Sequence, residues 1–174
     1  MNLNYKELLP SDFAPSSKVW IYQSSRLLTV TEALNMEARL TEFTQQWLSH
    51  GASVKGAGFL FFGQFVVLMA DETQTGVGGC STDSSVRFIK SLEEAYGINL
   101  FDRTTLAFAV PDKDNGFKIQ RLPYQQLQYA LDNGFIGADT LYFNNLVATK
   151  AELENQWIIP VRESWLKTRI QIEQ

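Results

Sequence analysis

One cysteine and one histidine are all that 174 residues hold of the two side chains most often used to bind metals or attack substrates. The lone Cys80 excludes an intramolecular disulfide and any cysteine-rich zinc site, and the lone His50 excludes centres built on paired histidines. No apolar run approaches the roughly 18 residues of a membrane span. Lys and Arg never cluster, and a net charge of -4 with a pI near 5.0 repels phosphate backbones. The opening Met1-Asn-Leu-Asn-Tyr-Lys-Glu lacks the basic start and apolar centre of a secretion signal. These shortages predict a cytoplasmic protein with no nucleic-acid or membrane partner, no metal and no cofactor.

Hydrophobic residues make up 45% of the chain and aromatic residues 13%, enough for the core of one domain with a small appendage. Residues 1–17 read as a leader that packs through Leu8, Leu9 and Phe13. Lys18-Val-Trp-Ile-Tyr-Gln-Ser24, β-branched and aromatic, predicts a strand. Thr29-Val-Thr-Glu32 has the capping-box pattern, and Ala33, Met36, Leu40, Phe43 and Trp47 then fall on one helical face that His50-Gly51 ends. Val54 to Ala70 predicts two strands about a type II′ turn at Gly63-Gln64. The second of them, Phe65 to Met69, is apolar without alternation and must be covered on both faces. Val86, Ile89, Leu92 and Tyr96 mark a second helix, capped by Thr82 or Asp83 and ended by Gly97. Thr104 to Val110 predicts a fourth strand, and Pro111-Asp-Lys-Asp-Asn-Gly116 a turn-rich linker.

That order, β-α-β-β-α-β, predicts an α+β protein. Its core, 18–112, is a ferredoxin-like split sandwich with both helices on one face of a four-stranded antiparallel sheet. Residues 117–174 predict a small α/β extension packed on the core. It holds a short strand Phe117-Lys-Ile-Gln-Arg, a helix opened by Pro123 and closed by Asn133-Gly134, a strand near Leu141 and a second capping box, Thr149-Lys-Ala-Glu152.

Gly51-Ala-Ser-Val-Lys-Gly56-Ala57-Gly58 has the glycine spacing of a phosphate-binding loop, with Ala57 and Gly58 where the lysine and hydroxyl belong. Gly76, Gly78 and Gly79, followed by Ser81 and Thr82, lie between a strand and a helix start. Free amides and the positive helix end suit a small anionic ligand there, although Asp71, Glu72 and Asp83 oppose it. The first helix should end, and the second begin, at one end of the sheet. That places His50 near Cys80, with Asp71 or Glu72 as orienter, in the nucleophile–base–acid arrangement of cysteine hydrolases. The positive end of a helix favours the thiolate form of a nearby thiol. A lone cysteine also packs as a small hydrophobe, and a histidine also ends helices as a cation. Arg26, Asp102 and Arg103 gather at the opposite end as a structural ion pair, and Asn144-Asn145 reads as a turn or bulge. Asp71 and Glu72, adjacent on a strand, point to opposite sides and make a poor metal pair.

Over most of its length the chain resembles a family of small uncharacterised bacterial proteins whose members are often labelled ABC-transporter ATPases. The residues that carry the resemblance are Val19-Trp-Ile-Tyr-Gln, Asp71-Glu72, Gly79-Cys80-Ser81, Asp83-Ser-Ser-Val-Arg-Phe-Ile-Lys, Leu100-Phe-Asp-Arg103, Phe143-Asn-Asn145 and Ser164-Trp165. The chain departs from that pattern at Leu166, where a histidine commonly follows Ser-Trp. The resemblance implies kinship and no activity, since the phosphate-loop lysine and the transporter signature motif are both missing. Two functions remain in view. One is a non-catalytic module that binds a ligand, a protein or a second copy of itself on the helix-free sheet face. The other is a thiol-dependent hydrolase or transferase using Cys80 with His50.

Overall fold

The structure is a computed structural model describing residues 1–113 and 116–169, so Asp114 and Asn115 of the expected linker lie outside it. In chain order the first elements are β1 (Lys18–Gln23), α1 (Val30–Gln46), β2 (Leu48–Ser49), β3 (Ala52–Ser53), β4 (Lys55–Phe61), β5 (Phe65–Asp71) and α2 (Gly79–Tyr96). They are followed by β6 (Thr105–Pro111), β7 (Phe117–Pro123), α3 (Leu127–Asp132), β8 (Leu141–Phe143), α4 (Lys150–Gln156) and β9 (Ile158–Pro160). The protein is α+β, with four α-helices and antiparallel sheets ordered β1-β5-β4, β2-β3 and β7-β6-β8-β9 among the described residues. Two compact units share these elements among the described residues: 5–102 with 146–154, and 1–4, 103–145 and 155–169.

In the first unit β5 is buried at all seven positions, as an apolar run without alternation requires. One face of its sheet carries Tyr22, Val66 and Leu68, which meet Met36 and Leu40 of α1 and Ile89 and Leu92 of α2 in one cluster. Thr29 caps α1 with both bonds of the box, its hydroxyl accepting from Glu32 N and its amide donating to the Glu32 carboxylate. The helices meet through Phe43 and Phe88, stacked at 4.2 Å.

The opposite face of the same sheet is also closed. Val19, Ile21, Val67 and Met69 are buried there, so the surface expected to receive a partner is not open to solvent. Tyr5 lies edge-on to Phe61 and donates to the Leu153 carbonyl at 2.6 Å, and the Lys55 ammonium sits 4.7 Å from the Phe13 ring. Leu9 and Phe13 are buried as expected of the leader, while Leu8 is exposed.

The four-stranded ferredoxin-like sheet does not form. Strands β1, β5 and β4 lie in the order that pattern requires, but β6 pairs with β7 and β8 in the other unit. The edge of β1 where a fourth strand would add is taken by residues 148–150. Val19 N donates to Ala148 O, and Lys150 N to Ser17 O, both at 2.9 Å. Two turns also differ from expectation. Phe61 and Phe65 face each other across three residues, with Phe62 and Gly63 at φ 57° and 63°, so the turn centres one residue early. Helix α1 ends at Gln46, and His50-Gly51 instead turns the β2–β3 hairpin with φ 50° and 81°, the signs of a type I′ turn.

In the second unit Leu106 and Phe108 of β6 pack with Leu127 and Ala130 of α3, Tyr142, Val161 and Leu166. Leu166, the departure from the resembled family, is fully buried there.

The phosphate-loop-like glycines have a packing role. Gly56 and Gly58 lie in β4 beneath α1, where a Cβ on Gly56 would come 2.8 Å from the Trp47 ring and one on Gly58 3.1 Å from Leu40 Cβ. Trp47 is 2% exposed and has nowhere to retreat. Gly56→Ala should therefore lower unfolding free energy by about 1–3 kcal/mol, the usual cost of overpacking a core. Denaturant melts check this, and an unchanged midpoint would show that α1 does not press on β4.

Candidate functional site

The corner that holds the sequence-predicted residues is built by Trp47, the C-cap of α1. Its indole donates to Ser81 O at 3.0 Å, tying the end of α1 to the first turn of α2. The β2–β3 hairpin follows, and the Ser49 hydroxyl donates to Gly76 O at 2.8 Å while accepting from Gly78 N at 3.2 Å. The His50 imidazole then lies against Gly78, where an added Cβ would stand 2.6 Å from Nε2. His50 and the glycine segment are thus neighbours. Helix α2 begins at Gly79, earlier than Thr82 or Asp83 would start it. Gly78 offers no side chain as a cap, and the Ser81 and Thr82 hydroxyls donate back to its carbonyl. Cys80 falls within that first turn and is exposed, as is His50.

The amides expected to cradle an anion are partly taken. Val77 N donates to Glu72 Oε1 at 2.7 Å and Gly78 N to Ser49, while Glu72 also pairs with Lys18 at 3.0 Å. Asp71 is occupied too, at the buried end of β5. It accepts from Thr73 N at 3.0 Å, Ala14 N at 3.3 Å and Lys55 Nζ at 3.3 Å, so its hydrogen bonds go to the chain around it and not to His50. Thr73, through backbone and side chain, and then Ala14 and Lys55 hold the Asp71 carboxyl at about 2, below its ordinary 3.8. Among the described residues no group of three His, Cys, Asp or Glu side chains could hold a metal ion.

The remaining expected clusters are structural. Arg26 forks onto Glu32 at 2.7 and 2.8 Å and reaches Tyr96 O at 2.7 Å. Its partner is thus Glu32, where a cluster with Asp102 and Arg103 was expected. Asn144 N donates to Trp157 O, and Asn145 Oδ1 accepts from the Trp157 indole at 3.0 Å, so the pair brackets a buried tryptophan.

A cavity of about 480 Å³ in the second unit escaped the sequence reading. Val110, Leu122, Ala130 and Ile136 form its apolar floor, and Lys118, Gln120 and Gln126 supply polar groups. Tyr129 and Phe135, 66% and 67% exposed and stacked at 6.5 Å, stand at its rim. Its signal in the sequence is faint: two aromatics flank the Asn133-Gly134 helix end, on no periodic stripe.

The chain matches no family model, no curated protein and no solved structure. Among the described residues no helix is long and apolar enough to cross a membrane.

Asp71 makes stability depend on pH. With a folded value of about 2 against an ordinary 3.8, the folded chain binds fewer protons than the unfolded chain between those values. The stabilisation is complete above the ordinary value and is lost as pH falls through the folded one. Asp71→Asn should lower the melting temperature at neutral pH, and its gap from the parent should close as pH drops from about 4 to about 2. Thermal melts across that range check it, and a gap that stays constant would remove Asp71 as the cause.

Proposed function

We propose that the protein is a non-catalytic binding module whose ligand is a small molecule seated between β7 and α3. The observation that carries this reading is the 480 Å³ cavity, within the roughly 300–1,000 Å³ of small-molecule sites, with its apolar floor and few polar groups. The alternatives in the first unit are weaker. Phosphate-loop hydrolysis would require a nucleotide to displace Trp47 and Leu40 from Gly56 and Gly58. An anion at Gly76–Thr82 would compete with Glu72 for the amide of Val77.

The test uses 1-anilinonaphthalene-8-sulfonate, which fluoresces when held in an apolar recess. Saturable binding near one dye per chain is expected under native conditions. Gln120→Trp should abolish it without loss of folding, because Gln120 is exposed on a strand and an indole there fills the recess. Dye fluorescence indifferent to that substitution would mean that the cavity binds nothing.

One observation favours a second reading, thiol chemistry at Cys80. The His50 ring rests on Gly78, two residues before an exposed cysteine, so a base and a nucleophile share one corner. The arrangement lacks its third member, because Asp71 is committed to Thr73, Ala14 and Lys55. Under this reading His50→Ala slows alkylation of native Cys80 by iodoacetamide severalfold. Equal rates in parent and variant would leave the thiol without a base.

A further inference from the structure

The inward face of β7 carries the wrong residues for a core strand. Lys118, Gln120 and Leu122 pair with Val110, Phe108 and Leu106 of β6, so all three side chains stand on the face that packs against α3. Two of those positions, Lys118 and Gln120, are polar and exposed. Both line the cavity together with Leu122, so this end of the sheet face is bare where the recess opens. Polar side chains at inward positions break the binary pattern of a strand, and such breaks mark functional surface more often than careless packing.

We infer that this bare end, on the binding reading above, takes an amphiphilic carboxylate: an apolar body on Val110, Leu122 and Ile136, and one carboxylate on Lys118. Among the described residues the Lys118 ammonium has no ion pair or hydrogen bond and no Asp or Glu lines the cavity, so none of them competes with the head for that cation. Gln126 adds an amide donor at the same mouth, and Gln120, whose Nε2 also donates to Arg121 O at 3.2 Å, has a second N–H to offer. One lysine and two amides suffice for a monoanion. They fall short of what a phosphate dianion needs in a chain of net charge -4, with no arginine and no anion-binding glycine loop in the lining. The exposed Tyr129–Phe135 pair flanks the body and shields it from water.

Calorimetry with octanoate and octan-1-ol on the full chain tests the assignment. Octanoate should bind more tightly than the alcohol. Lys118→Gln should weaken octanoate about tenfold, the scale of one charge-assisted hydrogen bond, and leave the alcohol unchanged. Lys118→Arg should restore it, and Gln120→Trp should abolish both. Alcohol bound as tightly as acid, with Lys118→Gln silent, overturns the carboxylate assignment and keeps the cavity as a binding site. Failure of octanoate to bind, while the naphthalene dye still does so in a manner blocked by Gln120→Trp, overturns the assignment in the same way. No octanoate and no dye binding overturns both.

Discussion

A strand buried on both faces sets the terms for the first unit. β5 presents Val66 and Leu68 to one side and Val67 and Met69 to the other, and each side chain buried in full is worth about 1.5–3 kcal/mol. Neither face can be left wet. α1 and α2 supply one cover, drawn close because β4 has glycine where α1 crosses it. On the other face, Tyr5 of the leader lies edge-on to Phe61 and donates to the Leu153 carbonyl. Lys150 is tied to the leader as well, since its side chain is buried and donates to Phe13 O at 3.1 Å.

The same demand shapes the corner where chemistry was expected. β5 ends in a buried carboxylate, and a buried charge must be paired or it neutralises. Asp71 therefore draws in Thr73, Ala14 and Lys55, and Glu72 draws in Val77 and Lys18. The two acids expected as possible orienters hold the exit of the strand and the start of the glycine segment. What they bind, they cannot also offer to a substrate. His50 and Cys80 are left exposed beside each other's segments without an orienting carboxylate from β5.

Local signals were legible, and nonlocal ones were not. The Thr29–Glu32 box, the apolar stripe of α1, the unbroken apolar run of β5 and the Gly97 ending of α2 are each written in residues a few positions apart, and each stands in the structure. The pairing of β6 is different. Thr105–Pro111 reads as a strand wherever it lies, and what assigns it to another sheet is competition from Ala148 and Lys150 for the edge of β1. No periodicity encodes a competitor more than 120 residues away from that edge. The start of α2 was misplaced for a local reason, since the Thr82 hydroxyl bonds backward to Gly78 O instead of capping forward. The turn expected at Gly63-Gln64 begins instead at Phe62, whose positive φ is uncommon for an aromatic and stands here beside edge-on contacts with Tyr5 and Phe65.

The cavity was invisible for a subtler reason. Alternation in Phe117-Lys-Ile-Gln-Arg is real, and the simplest assignment turns Phe117 and Ile119 inward with Lys118 and Gln120 toward water. The register with β6 reverses this for the face that meets α3, because Lys118 stands opposite Val110 and Gln120 opposite Phe108. Both faces of this sheet carry packed residues: Phe108 is buried on one side, and Ala107 and Ala109 on the other. A strand at the edge of a sheet packed on two sides can turn polar residues inward without burying them where the sheet face opens into a recess. Lys118 and Gln120 do so: they stay exposed in the lining of the cavity, beside Phe135 and Ile136 that follow the Gly134 turn at φ 71°, and so escape the cost of burying an unpaired polar group.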